Sequence, residues 1–67
     1  MHPDIRALAI KEFLKVNPDA PLEDIQLVLE GVYETGEMFV KVRTKDRKIH
    51  DKYRITSVEP VIIERIQ

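Results

Sequence analysis

Basic residues are concentrated in one stretch of the sequence, KVRTKDRKIHDKYR at positions 41–54. The stretch holds seven of the eleven Lys and Arg residues, although the formal net charge of the chain is −1. Among residues 1–40, in contrast, acids outnumber bases by eight to three. Clustered ammonium and guanidinium groups bind phosphates and carboxylates. The stretch therefore indicates either an anion-binding surface or the solvated side of a β-hairpin.

In a hairpin, alternate residues of the two strands lie on the same face, and the residues between the strands form the turn. The predicted anion-binding residues of that face are Phe39, Lys41, Arg43, His50, Lys52 and Arg54. The predicted basic residues of the turn are Lys45, Arg47 and Lys48. The cations would contact phosphates, and the Phe39 ring could stack on an unpaired base unless it only covers Val32.

Charge pairing across the two strands bears on the choice between the two interpretations. The expected register sets Lys41 opposite Lys52 and Arg43 opposite His50, and like charges in these positions repel. A merely solvated face normally mixes acids with bases, so the single sign favours an anionic ligand. Glu30 on a neighbouring strand would relieve part of the repulsion. Charge runs are weak signals of function, and both interpretations stay open.

The residue types needed for catalysis or metal binding are sparse. His50 and Asp51 are adjacent, but neighbouring residues of a strand point to opposite faces and would not form an acid/base pair. Ser57 has no nucleophile motif around it, and the two candidate ligands His2 and Asp4 are weak evidence for a metal site. The chain has no cysteine, so disulfides and cysteine-based zinc sites are excluded. We expect a protein that is not an enzyme and holds no metal or cofactor.

The elements that would position the basic face can be predicted in part. Residues 4–16 have apolar residues at helical spacing after Pro3, and Asn17 and Pro18 end the predicted helix. Residues 22–34 fit a strand or a helix. Pairing favours the strand, because a hairpin tip at Thr35 and Gly36 sets apolar Leu29 opposite Val42.

The remaining segments complete a sheet. A turn at 45–48 leads into a returning strand at 49–56 with Thr44 opposite Ile49, and residues 61–66 form a last strand that is apolar on both faces. The predicted fold is α+β, a single small domain over residues 1–67 with one N-terminal helix packed on an antiparallel four-stranded meander. The alternative is a reduced winged helix, with two helices and a hairpin wing, if residues 20–33 are helical.

Two functions follow from these expectations. The first is a small binding module whose basic sheet face contacts an anionic partner, with single-stranded nucleic acid or a nucleotide as candidates. The alternative is a homo-oligomeric structural or regulatory protein that docks a protein partner through Ile62 and Ile66 of the last strand. A chain of 67 residues buries a small core, so self-association as a dimer is expected to add stability. The start of the chain does not resemble a signal peptide and no apolar run could span a membrane, so a cytoplasmic location is expected.

Overall fold

The computed structural model describes residues 2–66 and has the predicted architecture, one N-terminal helix on a four-stranded antiparallel meander with strand order β1-β2-β3-β4. The elements are α1 (Pro3–Val16), a 3-10 turn (Leu22–Asp24), β1 (Ile25–Val32), β2 (Glu37–Thr44), β3 (His50–Val58) and β4 (Val61–Arg65).

Local hydrogen bonds fix both ends of α1. His2 caps the helix, since its Nδ1 accepts from the backbone N–H of Asp4 at 3.1 Å, and Pro3 occupies the first turn. At the other end the backbone N–H of Asn17 donates to the carbonyl of Phe13 at 2.9 Å, and Pro18 follows. The helix begins one residue earlier than predicted and ends where predicted.

Residues 25–32 form a strand, so the winged-helix alternative is wrong. A short 3-10 turn precedes the strand, and β1 then pairs with β2 along its whole length. The pairing sets Leu27 opposite Val42 and Leu29 opposite Val40. These apolar cross-strand pairs are absent from a helix, which explains why the strand forms in a segment whose own pattern fits both structures.

The first hairpin differs from the predicted register by two residues. The loop has four residues, 33–36, and Leu29 lies opposite Val40 instead of Val42. Gly36 adopts a φ of 72° and its N–H donates to the carbonyl of Val32 at 2.8 Å, which closes the longer loop. Because the register moves by an even number, every side chain stays on its predicted face.

The second hairpin has the predicted register. Val40 pairs with Tyr53, and the N–H of Thr44 donates to the carbonyl of Ile49 at 2.9 Å. The strand β3 extends two residues beyond the predicted end, and an irregularity between Ile55 and Ser57 interrupts its pairing with β4.

The core lies between α1 and one face of the sheet, which we call the inner face. Three helix residues pack there against the sheet. The buried core residues are Ile5, Ala9, Phe13, Ile25, Val40, Val42 and Tyr53. The opposite side of the sheet, which we call the outer face, is not covered by α1.

Candidate anion-binding site

The outer face collects the strand residues predicted to bind anions. The register pairs Lys41 with Lys52, Arg43 with His50, and Phe39 with Arg54. All six side chains alternate with the buried inner-face residues of β2 and β3, as the period of two requires.

Acidic side chains neutralise much of this face, to a greater extent than the sequence indicated. Glu30 of β1 bridges the two opposed lysines, with Oε2 at 3.1 Å from Lys41 Nζ and Oε1 at 3.0 Å from Lys52 Nζ. Hydrogen bonds from Lys52 and Lys41 lower the pKa of the Glu30 carboxyl. The expected repulsion between the lysines is therefore relieved inside the molecule and does not by itself require a ligand.

Arg54 is also held by acids. Its Nε lies 3.3 Å from Glu37 Oε2, and its Nη1 lies 3.8 Å from Glu64 Oε1. These contacts come from β2 and β4, on either side of Arg54. The end of the outer face nearest the first hairpin loop is thus mixed in charge.

Phe39 is buried although it lies on the outer face. Only 7% of the residue is exposed, because Lys52 Nζ sits 4.5 Å from the ring centroid and the Arg54 guanidinium 5.8 Å away. The observed register sets Phe39 opposite Glu30 and not opposite Val32. A base stacked on this ring would have to displace Lys52, and the ring acts as a platform for two cations.

The other end of the outer face carries a basic cleft of about 710 Å³. Its lining consists of Lys41, Arg43, Arg47, His50, Asp51, Lys52 and Ile66. Arg43 Nε donates to the neutral Oε1 of Gln26 at 3.3 Å. Over residues 2–66, no acid lies within ion-pair distance of Arg43 or Arg47, so these two guanidinium groups carry the excess charge of the cleft.

The turn between β2 and β3 places Arg47 at this cleft. Asp46 Oδ1 accepts from the backbone N–H of Lys48 at 3.0 Å and from Thr44 Oγ1 at 2.7 Å, and these bonds lower the pKa of Asp46. Arg47 follows with a φ of 64°, in the left-handed region that few non-glycine residues adopt. Lys45 faces elsewhere and lines a second cavity of about 570 Å³ beside the end of α1.

An ion pair between a buried acid and an exposed base lies beneath the cleft on the inner face, and this pairing was not predicted from the sequence. Asp51, 6% exposed, pairs with Arg65 of β4, whose Nη2 is 2.7 Å from Asp51 Oδ1. The adjacent Tyr53 is fully buried, and desolvation, with the Asp51 charge second, raises its pKa to about 12. An acid on an otherwise apolar strand face was the available signal. The side chains of His50 and Asp51 lie on opposite faces, as predicted.

The two isoleucines predicted at an interface lie at the β4 edge of the outer face. Ile62 is 50% exposed and Ile66 is 37% exposed. The N–H of Ile66 donates to the carbonyl of Lys52 at 3.1 Å, which brings its side chain to the rim of the basic cleft. The sequence assigned Ile66 to a protein interface and did not indicate this proximity.

Comparison of the chain with models of protein families, with curated proteins and with solved structures found no match. Between residues 2 and 66, no three His, Asp or Glu side chains form a group that could hold a metal ion. In the same range no helix has both the length and the apolar character needed to cross a membrane.

Proposed function

We propose that the protein is a small binding module that holds an anionic partner in the basic cleft, with the phosphates of single-stranded nucleic acid or of a nucleotide as the ligand. The observation that carries this proposal is that the cations around the cleft outnumber the acids that pair with them. Lys41 and Lys52 share one carboxylate, while Arg43 and Arg47 have no acidic partner among the described residues.

The charge left over at the cleft favours a phosphate. Two ammonium groups that share Glu30 keep a net positive charge, and the two guanidinium groups add to it. Guanidinium groups bind phosphate oxygens in a bidentate manner, which gives geometric selectivity as well as charge. A solvated sheet face would be expected to neutralise Arg43 and Arg47 as it neutralises Arg54.

The shape of the cleft favours a flexible ligand. A volume of about 710 Å³ accommodates one or two nucleotides, since ligand sites of this size hold molecules of several hundred daltons. Ile66 supplies apolar surface at the rim for a sugar or a base. Phe39 is not part of the cleft lining, so phosphate contacts and not base stacking would supply most of the affinity.

The test is binding of short labelled single-stranded DNA and RNA, followed by fluorescence anisotropy across a salt series. We expect wild-type binding to weaken with salt, and the double variant Arg43→Glu/Arg47→Glu to lose at least about tenfold in affinity. Both side chains lie at the surface, so the folded state of the variant can be verified by circular dichroism.

A matched control is available on α1. Arg6→Glu/Lys11→Glu makes the same change in net charge at two exposed helix positions, on the other side of the sheet from the cleft. We expect this control to bind nearly as well as wild type. Equal loss of binding in both variants, or no binding by wild type at low salt, would refute the proposal.

The second candidate function is docking of a protein partner at β4, and it is favoured by the 50% exposure of Ile62 on the outer face. It uses the apolar edge of the face and not its basic cleft. Ile62→Lys separates the two candidates, because it should abolish capture of such a partner and leave anion binding intact.

A further inference from the structure

The β1 strand is an edge strand without the features that normally prevent edge pairing. It runs for eight residues, Ile25–Val32, and pairs with β2 at every position without a bulge. It contains no Lys, Arg or Pro. Its one charged residue is Glu30, whose carboxylate is held by Lys41 and Lys52. Exposed edges of this kind pair readily with another strand.

The opposite edge of the sheet has several of those protective features. The β4 strand has five residues, and its pairing with β3 is irregular between Ile55 and Ser57. Pro60 precedes it, and Glu64 and Arg65 lie near its end. Short length, irregular pairing, proline and charge all discourage edge-to-edge association. The two edges therefore differ in how readily they accept another strand.

Apolar side chains are exposed on both faces next to β1. Leu29 is 44% exposed and Met38 is 38% exposed on the inner face, where α1 lies mainly over β2, β3 and β4. Val28 is 40% exposed on the outer face. Open space lies above Gly31, since a Cβ placed there would meet nothing within 4 Å. A strand added beside β1 would cover apolar surface on both the inner and the outer face of the sheet.

We propose that two copies of the chain pair through β1 in antiparallel orientation, which joins their sheets into one continuous sheet. A two-fold axis perpendicular to the sheet makes the contact self-complementary and puts both α1 helices on the same side. This proposal does not depend on the anion-binding function, because β1 does not line the basic cleft.

Side-chain complementarity selects the register with Val28 on the axis. Val28 then faces Val28 of the second copy, Leu27 faces Leu29, and Gln26 faces Glu30, so that no like charges are opposed. Moving the axis to Leu27 would set Asp24 opposite Glu30. Moving it to Leu29 would set apolar Val28 opposite charged Glu30. The strand sequence thus fits a second copy of itself in one register better than in its neighbours.

The first test is the solution mass of the protein as a function of concentration, measured by sedimentation equilibrium. We expect a reversible dimer for wild type and a monomer for Val28→Lys, because two lysines would face each other at the axis. Ile62→Lys makes the same charge change on β4 and should remain dimeric. A monomeric wild type, or a dimer broken by Ile62→Lys and kept by Val28→Lys, would overturn the proposal.

The second test determines the register from disulfide formation. Because the chain has no cysteine, an introduced cysteine can form a disulfide only with the same cysteine of a second copy. Val28→Cys places two thiols opposite each other across the axis. Gln26→Cys places its two thiols about 13 Å apart along the strands, too far to bridge. Under mild oxidation we expect about tenfold more cross-linked dimer from Val28→Cys than from Gln26→Cys. Equal cross-linking of the two variants would contradict the proposed register.

Discussion

Glu30 limits the charge of the basic cleft, because its carboxylate contacts both Lys41 and Lys52. Glu30→Gln removes that negative charge and leaves a side chain of the same size. We expect the affinity for single-stranded DNA at low salt to rise about fivefold. The measurement is the same anisotropy titration, and unchanged or weaker binding would contradict a phosphate site at the lysines.

The same variant should be slightly less stable than wild type at neutral pH. The two lysines lower the pKa of Glu30 in the folded state, so the ionised carboxylate contributes stability above its ordinary pKa of 4.5. This contribution is lost as the pH falls through the lowered pKa of the folded protein. Urea midpoints should therefore differ between wild type and Glu30→Gln at pH 7 and converge in acid. A difference that grows in acid would contradict the bridging role.

Arg47 combines a charge at the proposed anion-binding cleft with an unfavourable backbone conformation. Glycine adopts a φ of 64° without steric cost, so Arg47→Gly should raise the free energy of unfolding by about 1 kcal/mol. The variant should also bind single-stranded DNA about threefold more weakly, with a shallower salt dependence, since one phosphate contact is lost. Lys48→Gly is the control, because Lys48 has no positive φ and glycine there should not stabilise the fold. Unchanged binding of single-stranded DNA by Arg47→Gly would show that Arg47 does not contact the ligand.

At the scale of the elements, the first hairpin depends on Gly36. A side chain at its φ of 72° is strained, so Gly36→Ala should lower the free energy of unfolding by about 1 kcal/mol. Gly31 lies in β1 with open space above it, and Gly31→Ala should be neutral or slightly stabilising. Chemical denaturation of both variants measures their free energies of unfolding and so tests both predictions. Equal stabilities would argue against the four-residue loop and the register that it sets.

The faces of the sheet could be predicted from the sequence, but the contacts on them could not. The alternation of side chains with a period of two assigns Lys41, Arg43 and Lys52 to one face whatever the loop length. The register of β1 against β2 depends on the length of the first hairpin loop, which the conformation of Gly36 sets. The residue types at positions 35 and 36 do not decide between a two-residue and a four-residue loop. The burial of Phe39 follows from that register and from Lys52 on a third strand, beyond the reach of local patterns.

The fold class was predictable because it depends on local signals and on the pattern of apolar residues. Pro3 at the helix start and the breaker at Asn17 and Pro18 are local signals, and the apolar pairs of the meander decide the ambiguous segment. The cleft needs side chains from β2, β3, the turn between them and the residue after β4. Its shape therefore appears only when the whole sheet is assembled.

Across the whole molecule, charge is divided between two ends of the outer face. Glu37 and Glu64 neutralise Arg54 at one end, whereas Arg43 and Arg47 lack acidic partners among residues 2–66 at the other. A net charge of −1 therefore coexists with a local positive site. Such a distribution would steer an anion to the basic cleft and would discourage its binding elsewhere on the surface.

Phosphate binding at the basic cleft can be tested directly by an amide chemical-shift map of the labelled protein during titration with a short oligothymidylate at low salt. We predict that the largest shifts occur within residues 41–54, with the side-chain Nε–H signals of Arg43 and Arg47 among them, and that α1 is nearly unaffected. Shifts centred on α1, or no shifts at a large excess of the oligonucleotide, would contradict binding of phosphates at the basic cleft.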